Sequence, residues 1–390
     1  MKFFTLALLA LAACAPRQQP PPLLTLSSAR FADLPGWRDD DVAAALPAFR
    51  RSCVILQKLD PAAPVGPDGV GGTAADWRAP CEGAASVEPS AARSFFEQSF
   101  TPWLAADNDK KSGLFTGYFE PELRGSRVPG GAFATPLLRR PPDLVAADLG
   151  LFRSDWRGQR IAGRVVDGRL VPYPARAEIE RGALDRMNLA FLWVDDPVDA
   201  FVLSIQGSGR VRLGDGTLVN VGYDGQNGRP YVALGRLLVE RGEMTREELS
   251  LAAIRAWLAA HPDQAPALMD ENPSYVFFRE VQGDAPIGAE GAVLTAGRSL
   301  AIDPSFLPLG APLWLDVAQD GASLRRLVIA QDTGGAIRGP VRGDLFCGFG
   351  AAAEAQAGRM RATGAYYVLL PQRAAAARVA VHERNKEPRG

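Results

Sequence analysis

A series of short apolar alternations, each cut off by a turn former, most limits what this chain can fold into. It begins near Leu114. GLFTGYFEPELRG, RIAGRVVDGRLVPY and DAFVLSIQGSGRVRLGDGTLVNVGYDG alternate apolar and polar residues and break at Gly, Asp-Gly or Asn-Gly. Those dipeptides supply the positive φ that tight hairpin turns need, so the segments read as paired strands. The expectation is a β-rich unit from about Gly113 to Val276, interrupted by one helix. Thr245-Arg246-Glu247-Glu248 has the capping-box pattern that would open that helix, and Leu251, Ile254 and Leu258 form its apolar stripe before Pro262. Strand texture resumes near Glu280 in AVLTAGRSLAIDPSFLPLGAPLWLDV and RRLVIAQDTGGAIRG. An Ala-rich helix at Ala351–Arg361 follows, then a last strand, AYYVLLP, ending at Pro371. Before Leu114 the spacing is helical over Asp39–Leu56, broken at Pro47, and over Ser90–Phe100, opened by a capping serine. With 40 glycines and 31 prolines, the chain reads as mainly β with flanking helices.

The N-terminus carries a separate signal. Lys2 precedes Phe3–Ala13, an apolar run of eleven residues. A membrane-spanning helix needs roughly 20, so the run fits the core of a secretory signal peptide covering residues 1–13. Leu11-Ala12-Ala13-Cys14 resembles the lipobox of bacterial lipoproteins, in which the cysteine is acylated; an ordinary small-residue cleavage site is the alternative. Ala15, where such signals carry Asp for inner-membrane retention, favours the outer membrane. Residues 14–30 read as a lipidated, Pro-rich tether without a core of its own. Formal net charge is −1 with no long basic block, which argues against nucleic acid as a partner. Export places Cys53 and Cys81 in an oxidising compartment, where they are candidates for a disulfide, with two free thiols as the alternative. Cys347 is left as a free thiol. The two histidines, His261 and His382, form no metal-spaced cluster, so no metal or cofactor is expected. Any chemistry should rest on carboxylates.

Three aspartates carry that expectation. Asp303 lies in AIDPSFLPLG, Asp332 in QDTGGAIRG and Asp344 in PVRGDLFCG, each where a strand gives way to a turn. Taken singly, each could simply close an Asx turn. The pair Gly334–Gly335 would let backbone approach a ligand closely.

Ala289–Leu370 resembles the three-aspartate "3D" domain, a six-stranded double-psi β-barrel. LFTGYFEPEL, SIQGSGRVRLGDG, GYDGQNGRPY and NPSYVFF are similar, in order, to the insert domain of the membrane-bound lytic murein transglycosylase A family. The resemblance implies a barrel built from residues 31–112 and 279–372, an insert domain at 113–278, a groove between them for the sugar chain, and a charged tail at 373–390. It implies that Asp344 is the catalytic acid, Asp332 a supporting carboxylate and Asp303 a structural third. Thr116, Gly117, Tyr118, Gln206 and Ser208 would line the groove with Gly334 and Gly335. The implied reaction is that of a carbon–oxygen lyase on peptidoglycan, cutting between N-acetylmuramic acid and N-acetylglucosamine with a 1,6-anhydro product. A hydrolase and a non-catalytic peptidoglycan-binding lipoprotein are the alternatives. Implied partners are glycan strands, outer-membrane lipid through acylated Cys14, and other cell-wall enzymes. The chain departs from the family at Pro340-Val341-Arg342-Gly343 and at Cys347, neither of which is expected to touch the aspartates.

Overall fold

The structure is a computed structural model that describes residues 20–156, 159–283, 286–319 and 322–376. The signal peptide, Cys14, His382 and the tail from residue 377 lie outside the described residues.

The N-terminal part holds β1 (Leu24–Ser28), α1 (Leu46–Leu56), α2 (Ala74–Ser86), α3 (Ala92–Ser99) and β2 (Phe100–Asp107). The first helix starts later than the spacing predicts. A 3-10 turn covers Val42–Ala45, and Pro47 falls in the first α-helical turn, where its missing N–H costs nothing. Ser90 caps no helix: it sits inside a 3-10 turn, Pro89–Ala91, and Phe100 already opens β2. Helix α2 buries a stripe of mostly small residues, Ala74, Trp77, Cys81 and Ala84, and contains Pro80. It is started by a capping box in which Asp76 accepts the Thr73 backbone N–H at 2.8 Å. Phe49, Trp77, Phe96 and Phe100 pack edge to face or tilted between these helices. A disulfide joins Cys53 of α1 to Cys81 of α2, with Cα atoms 5.2 Å apart.

Next come β3 (Gly113–Glu120), β4 (Glu122–Ser126), β5 (Thr135–Leu138), β6 (Val145–Asp148), β7 (Arg160–Val166), β8 (Arg169–Pro172), a single turn α4 (Arg176–Glu178) and β9 (Ala190–Val194). They are followed by α5 (Pro197–Gln206), β10 (Ser208–Leu213), β11 (Leu218–Gln226), α6 (Leu234–Glu240), α7 (Leu251–Ala260), α8 (Ala265–Asp270) and β12 (Val276–Glu280). A six-stranded sheet runs β12-β11-β10-β4-β9-β5, and a smaller one runs β6-β7-β8. Several helices, rather than one, interrupt the strands. DAFVLSIQ, read as strand, is the body of α5. Asp196 accepts the Val198 N–H at 2.7 Å, Pro197 stands in the first turn, and Gly207 (φ 82°) ends the helix. Its apolar residues run on without alternation because they serve three neighbours: Phe201 the helical cluster around Trp257, Val202 the cluster around Phe119, and Leu203 the sheet. The Thr245–Glu248 capping box forms, but it closes a turn; α7 is capped by Ser250, whose hydroxyl accepts the Ala253 N–H at 3.1 Å.

The C-terminal part supplies β13 (Ser299–Ile302), β14 (Pro312–Gln319), β15 (Ala322–Thr333), β16 (Arg342–Phe349), α9 (Gly350–Arg359) and β17 (Arg361–Pro371). These strands run β17-β14-β15-β13-β16-β3, and β17 pairs back onto β3, closing a six-stranded barrel. Strand β3 lies at the start of the segment that reads as the insert, yet it pairs as a barrel strand, parallel to β16 on one side and antiparallel to β17 on the other. Phe115, Leu300, Trp314, Ile329 and Tyr366 fill the core with no exposed surface.

Candidate active site

Barrel closure brings two distant segments into register. In the β3–β16 pairing Thr116 lies opposite Asp344. The Thr116 hydroxyl donates to Asp344 Oδ1 at 2.6 Å and accepts from Arg342 Nη2 at 2.9 Å. Among the described residues, no group donates to Asp344 Oδ2. Burial, helped by the negative charge of Asp332, pushes the Asp344 carboxyl up to about 6, against the Thr116 hydrogen bond and the Arg342 charge. Among the described residues neither Arg342 nor Cys347 hydrogen-bonds Asp344, but Arg342 acts on it through its charge and through Thr116. Arg342 orients Thr116 and opposes protonation of Asp344. Cys347, buried on the opposite face of β16 against α9, has its thiol pushed up to about 12 by burial and by the Asp344 charge, so it stays protonated and unreactive.

Asp332 is held differently. It accepts the Tyr118 hydroxyl at 2.7 Å and the backbone N–H groups of Ala289 and Thr333, each at 2.9 Å. Burial raises its pKa, and these three bonds oppose the rise. Burial and the Asp332 charge hold the Tyr118 phenol well above its usual range, so it remains a donor. Ala301 of β13 pairs with Asp332 on one side and Asp344 on the other. The two carboxylate-bearing backbones thus stand two strand spacings apart, about 10 Å. Burial contributes more than the Asp332 charge to the rise at Asp344.

Asp303 stands at the end of β13, 3 % exposed. It accepts the Ser305 N–H at 3.0 Å, an Asx turn, and the Gly339 N–H at 2.8 Å. It pins the loop that leads into β16 and makes no contact with Asp344. Gly334 and Gly335 form the turn after β15. Neither needs positive φ; a Cβ at Gly334 would lie 2.9 Å from the Ile337 side chain, whereas one at Gly335 would meet nothing within 4 Å, so the turn is open at Gly335.

Strand alternation sorts the remaining candidates. Thr116 and Tyr118 share the face that carries the carboxylates. Gly117 points the other way: a Cβ there would lie 2.9 Å from Ala357 Cα and 3.1 Å from Cys347 Sγ. It lets α9 pack against β3 and does not line a groove with a side chain. Gln206 Oε1 accepts the Phe119 N–H at 3.1 Å, and the Ser208 hydroxyl bonds Glu120. Both sit against the far end of β3, away from the aspartates. His261 stacks on Trp257 with ring centroids 4.3 Å apart, outside this constellation. The participation of Arg342 had no signal in sequence beyond its place two residues before Asp344.

Residues 114–279 match the MltA specific insert domain and residues 298–370 match the 3D domain. The chain is 34% identical over 276 residues to a membrane-bound lytic murein transglycosylase A of Vibrio cholerae, covering 68% of this chain and 67% of that one. It superposes on the crystal structure of a membrane-bound lytic murein transglycosylase from Agrobacterium tumefaciens with a TM-score of 0.78 and 34% identity, covering 90% and 99% of the two chains. Escherichia coli MltA with bound chitohexaose superposes with a TM-score of 0.63 and 27% identity, over 84% and 90%.

Proposed function

The chain belongs to the membrane-bound lytic murein transglycosylase A family, and from that premise we propose that Asp344 alone cuts the glycan, first as acid and then as base. The enzyme is a peptidoglycan lytic transglycosylase. The observation that carries the mechanism is a half-buried aspartate whose carboxyl is raised to about 6, fixed through one oxygen by Thr116 and free at the other.

A glycosidase that uses water needs two carboxylates at a defined separation. Here the nucleophile is inside the substrate. Protonated Asp344 gives its proton to the oxygen linking N-acetylmuramic acid to N-acetylglucosamine, and that bond breaks as positive charge develops at the anomeric carbon. The Asp344 carboxylate then takes the proton of the muramic C6 hydroxyl. Its oxygen attacks the anomeric carbon and closes a 1,6-anhydro ring. An internal hydroxyl has a high effective molarity, so no water need be positioned. Asp332, occupied by three donors, holds the Tyr118 and Ala289 sides of the site in place. The strand would run between the barrel and the insert, past Gln206 and Ser208.

Turnover requires the protonated form, so kcat/KM is expected to fall about tenfold per pH unit above pH ~6. Arg342→Gln removes a charge that favours the carboxylate and should move this limb to higher pH. Mass spectrometry of digested sacculi should find 1,6-anhydromuramic ends, lighter by one water than hydrolysis products. Reducing muramic ends would instead establish a hydrolase and make Asp332 its second carboxylate.

Anchorage belongs to the same proposal. Among the described residues no helix is long and apolar enough to cross a membrane, and Leu11-Ala12-Ala13-Cys14 offers an acylated cysteine on the periplasmic face of the outer membrane. Two or three acyl chains hold a protein firmly, at about 0.8 kcal/mol per buried CH2. Cys14→Ala should abolish acylation and release the enzyme from the detergent phase; unchanged mass and partitioning would refute the anchor.

A further inference from the structure

Strand β16 is buried over most of its length, but its last residue, Phe349, is 58% exposed. The ring is turned outward by a bulge. Pairing with β3 slips between Phe346 and Phe349, and Gly348 takes φ 103°. After the slip Phe349 lies opposite Glu120. Thr116, Tyr118 and Glu120 alternate onto one face of β3, and the first two hold Asp344 and Asp332. Glu120 thus continues the face that carries the chemistry. It lies four residues beyond Thr116, about 13 Å along the strand, the reach of two or three linked pyranose rings.

The Phe349 ring is also fixed from behind. The Arg210 guanidinium, from the insert strand β10, sits 3.8 Å from its centroid. Arg210 Nε donates to Glu120 Oε2 at 3.4 Å, and the pair is nearly buried, 9% and 2% exposed. Ser208 adds its hydroxyl to Glu120. The result is a flat apolar ring on the catalytic strand, braced by a cation from the opposite domain and open to solvent over the rest of its surface. Bracing removes much of the ordering cost that a free phenyl side chain would incur on binding.

We propose that Phe349 is a stacking platform for a sugar ring two or three units from the scissile bond, giving the enzyme a preference for long glycan strands. The proposal rests on the transglycosylase reading above. A pyranose presents an apolar C–H face that matches the ring, while its hydroxyls reach Ser208 at the platform's edge.

The test measures binding apart from turnover. In an Asp344→Asn background, calorimetric titration with chitotriose and chitohexaose gives an affinity ratio between long and short ligand. Phe349→Ala should reduce that ratio about tenfold, and Phe349→Trp should preserve it. Phe349→Leu keeps apolar bulk against Arg210 but lacks a flat face, so it should behave like Ala. An unchanged ratio in Phe349→Ala, or a ratio restored by Phe349→Leu, would overturn the platform and leave Phe349 as junction packing. Wild-type digestion of sacculi is scored separately. Anhydro products together with an unchanged ratio would defeat this inference alone, whereas reducing ends would defeat the reading beneath it.

Discussion

Asp344→Asn is expected to abolish turnover while glycan binding and folding persist. The amide is close in size to the carboxyl and can still accept the Thr116 hydroxyl, so the β3–β16 register around it should survive. It can neither donate the acid proton nor take one back. General acid–base help alone is worth roughly 10²–10⁴ in rate, and this residue is assigned both steps, so the loss should reach several orders of magnitude. Thr116→Ala, Gln206→Ala and Ser208→Ala should cost far less, since each removes only positioning bonds and leaves the proton carrier. Release of anhydromuropeptides from purified sacculi measures the first effect, and calorimetry with chitohexaose checks that binding is kept. Near-full activity in Asp344→Asn would show that the acid lies elsewhere.

Breaking the Cys53–Cys81 bridge should give the largest loss of stability. The bond closes a loop with a sequence separation of 28, and constraint of the unfolded chain over that length is worth about 3.5 kcal/mol. Both cysteines are buried, at 4% and 2% exposure, where α1 meets α2 beside Phe49 and Trp77. Cys53→Ala with Cys81→Ala should lower the unfolding midpoint of this part by roughly 5–10 °C. Reductant should produce the same shift in the wild type and none in the double variant. Circular dichroism during thermal unfolding reads both. Free thiols at both positions in exported protein, with no effect of reductant, would refute the assignment. Activity at low temperature should change little, because none of the hydrogen bonds to Asp344 involves α1 or α2.

The sequence determined the texture of this protein and pointed to the side chains proposed to carry its chemistry. Period-two alternation and Asp-Gly turns are local, so they announced strands at β7, β8, β10 and β11 correctly. The apolar N-terminus, the two candidate cysteines and the scarcity of histidine narrowed the chemistry to carboxylates. Local patterns failed where tertiary contacts overrode them. The VLSIQ segment alternates too little to be a one-faced strand, and it is helical because three neighbours cover it. The Thr245 capping box was satisfied within a turn, and α2 was hidden by Pro80 and by a face too weakly apolar to read.

The site shows the same division. Three aspartates in one segment could be found by reading, and the family resemblance suggested a role for each, but not the contacts through which each would act. Only barrel closure sets Thr116, 228 residues away in sequence, against Asp344. Only the β13 register places Asp332 two strands off, where it binds backbone and Tyr118. Only the strand's pleat turns Gly117 toward α9 while Thr116 and Tyr118 face the carboxylates. Side-chain type is written residue by residue. The proton affinity of Asp344 depends on how much water the folded barrel removes from it and on which charges the register brings near, and neither exists until distant strands have paired.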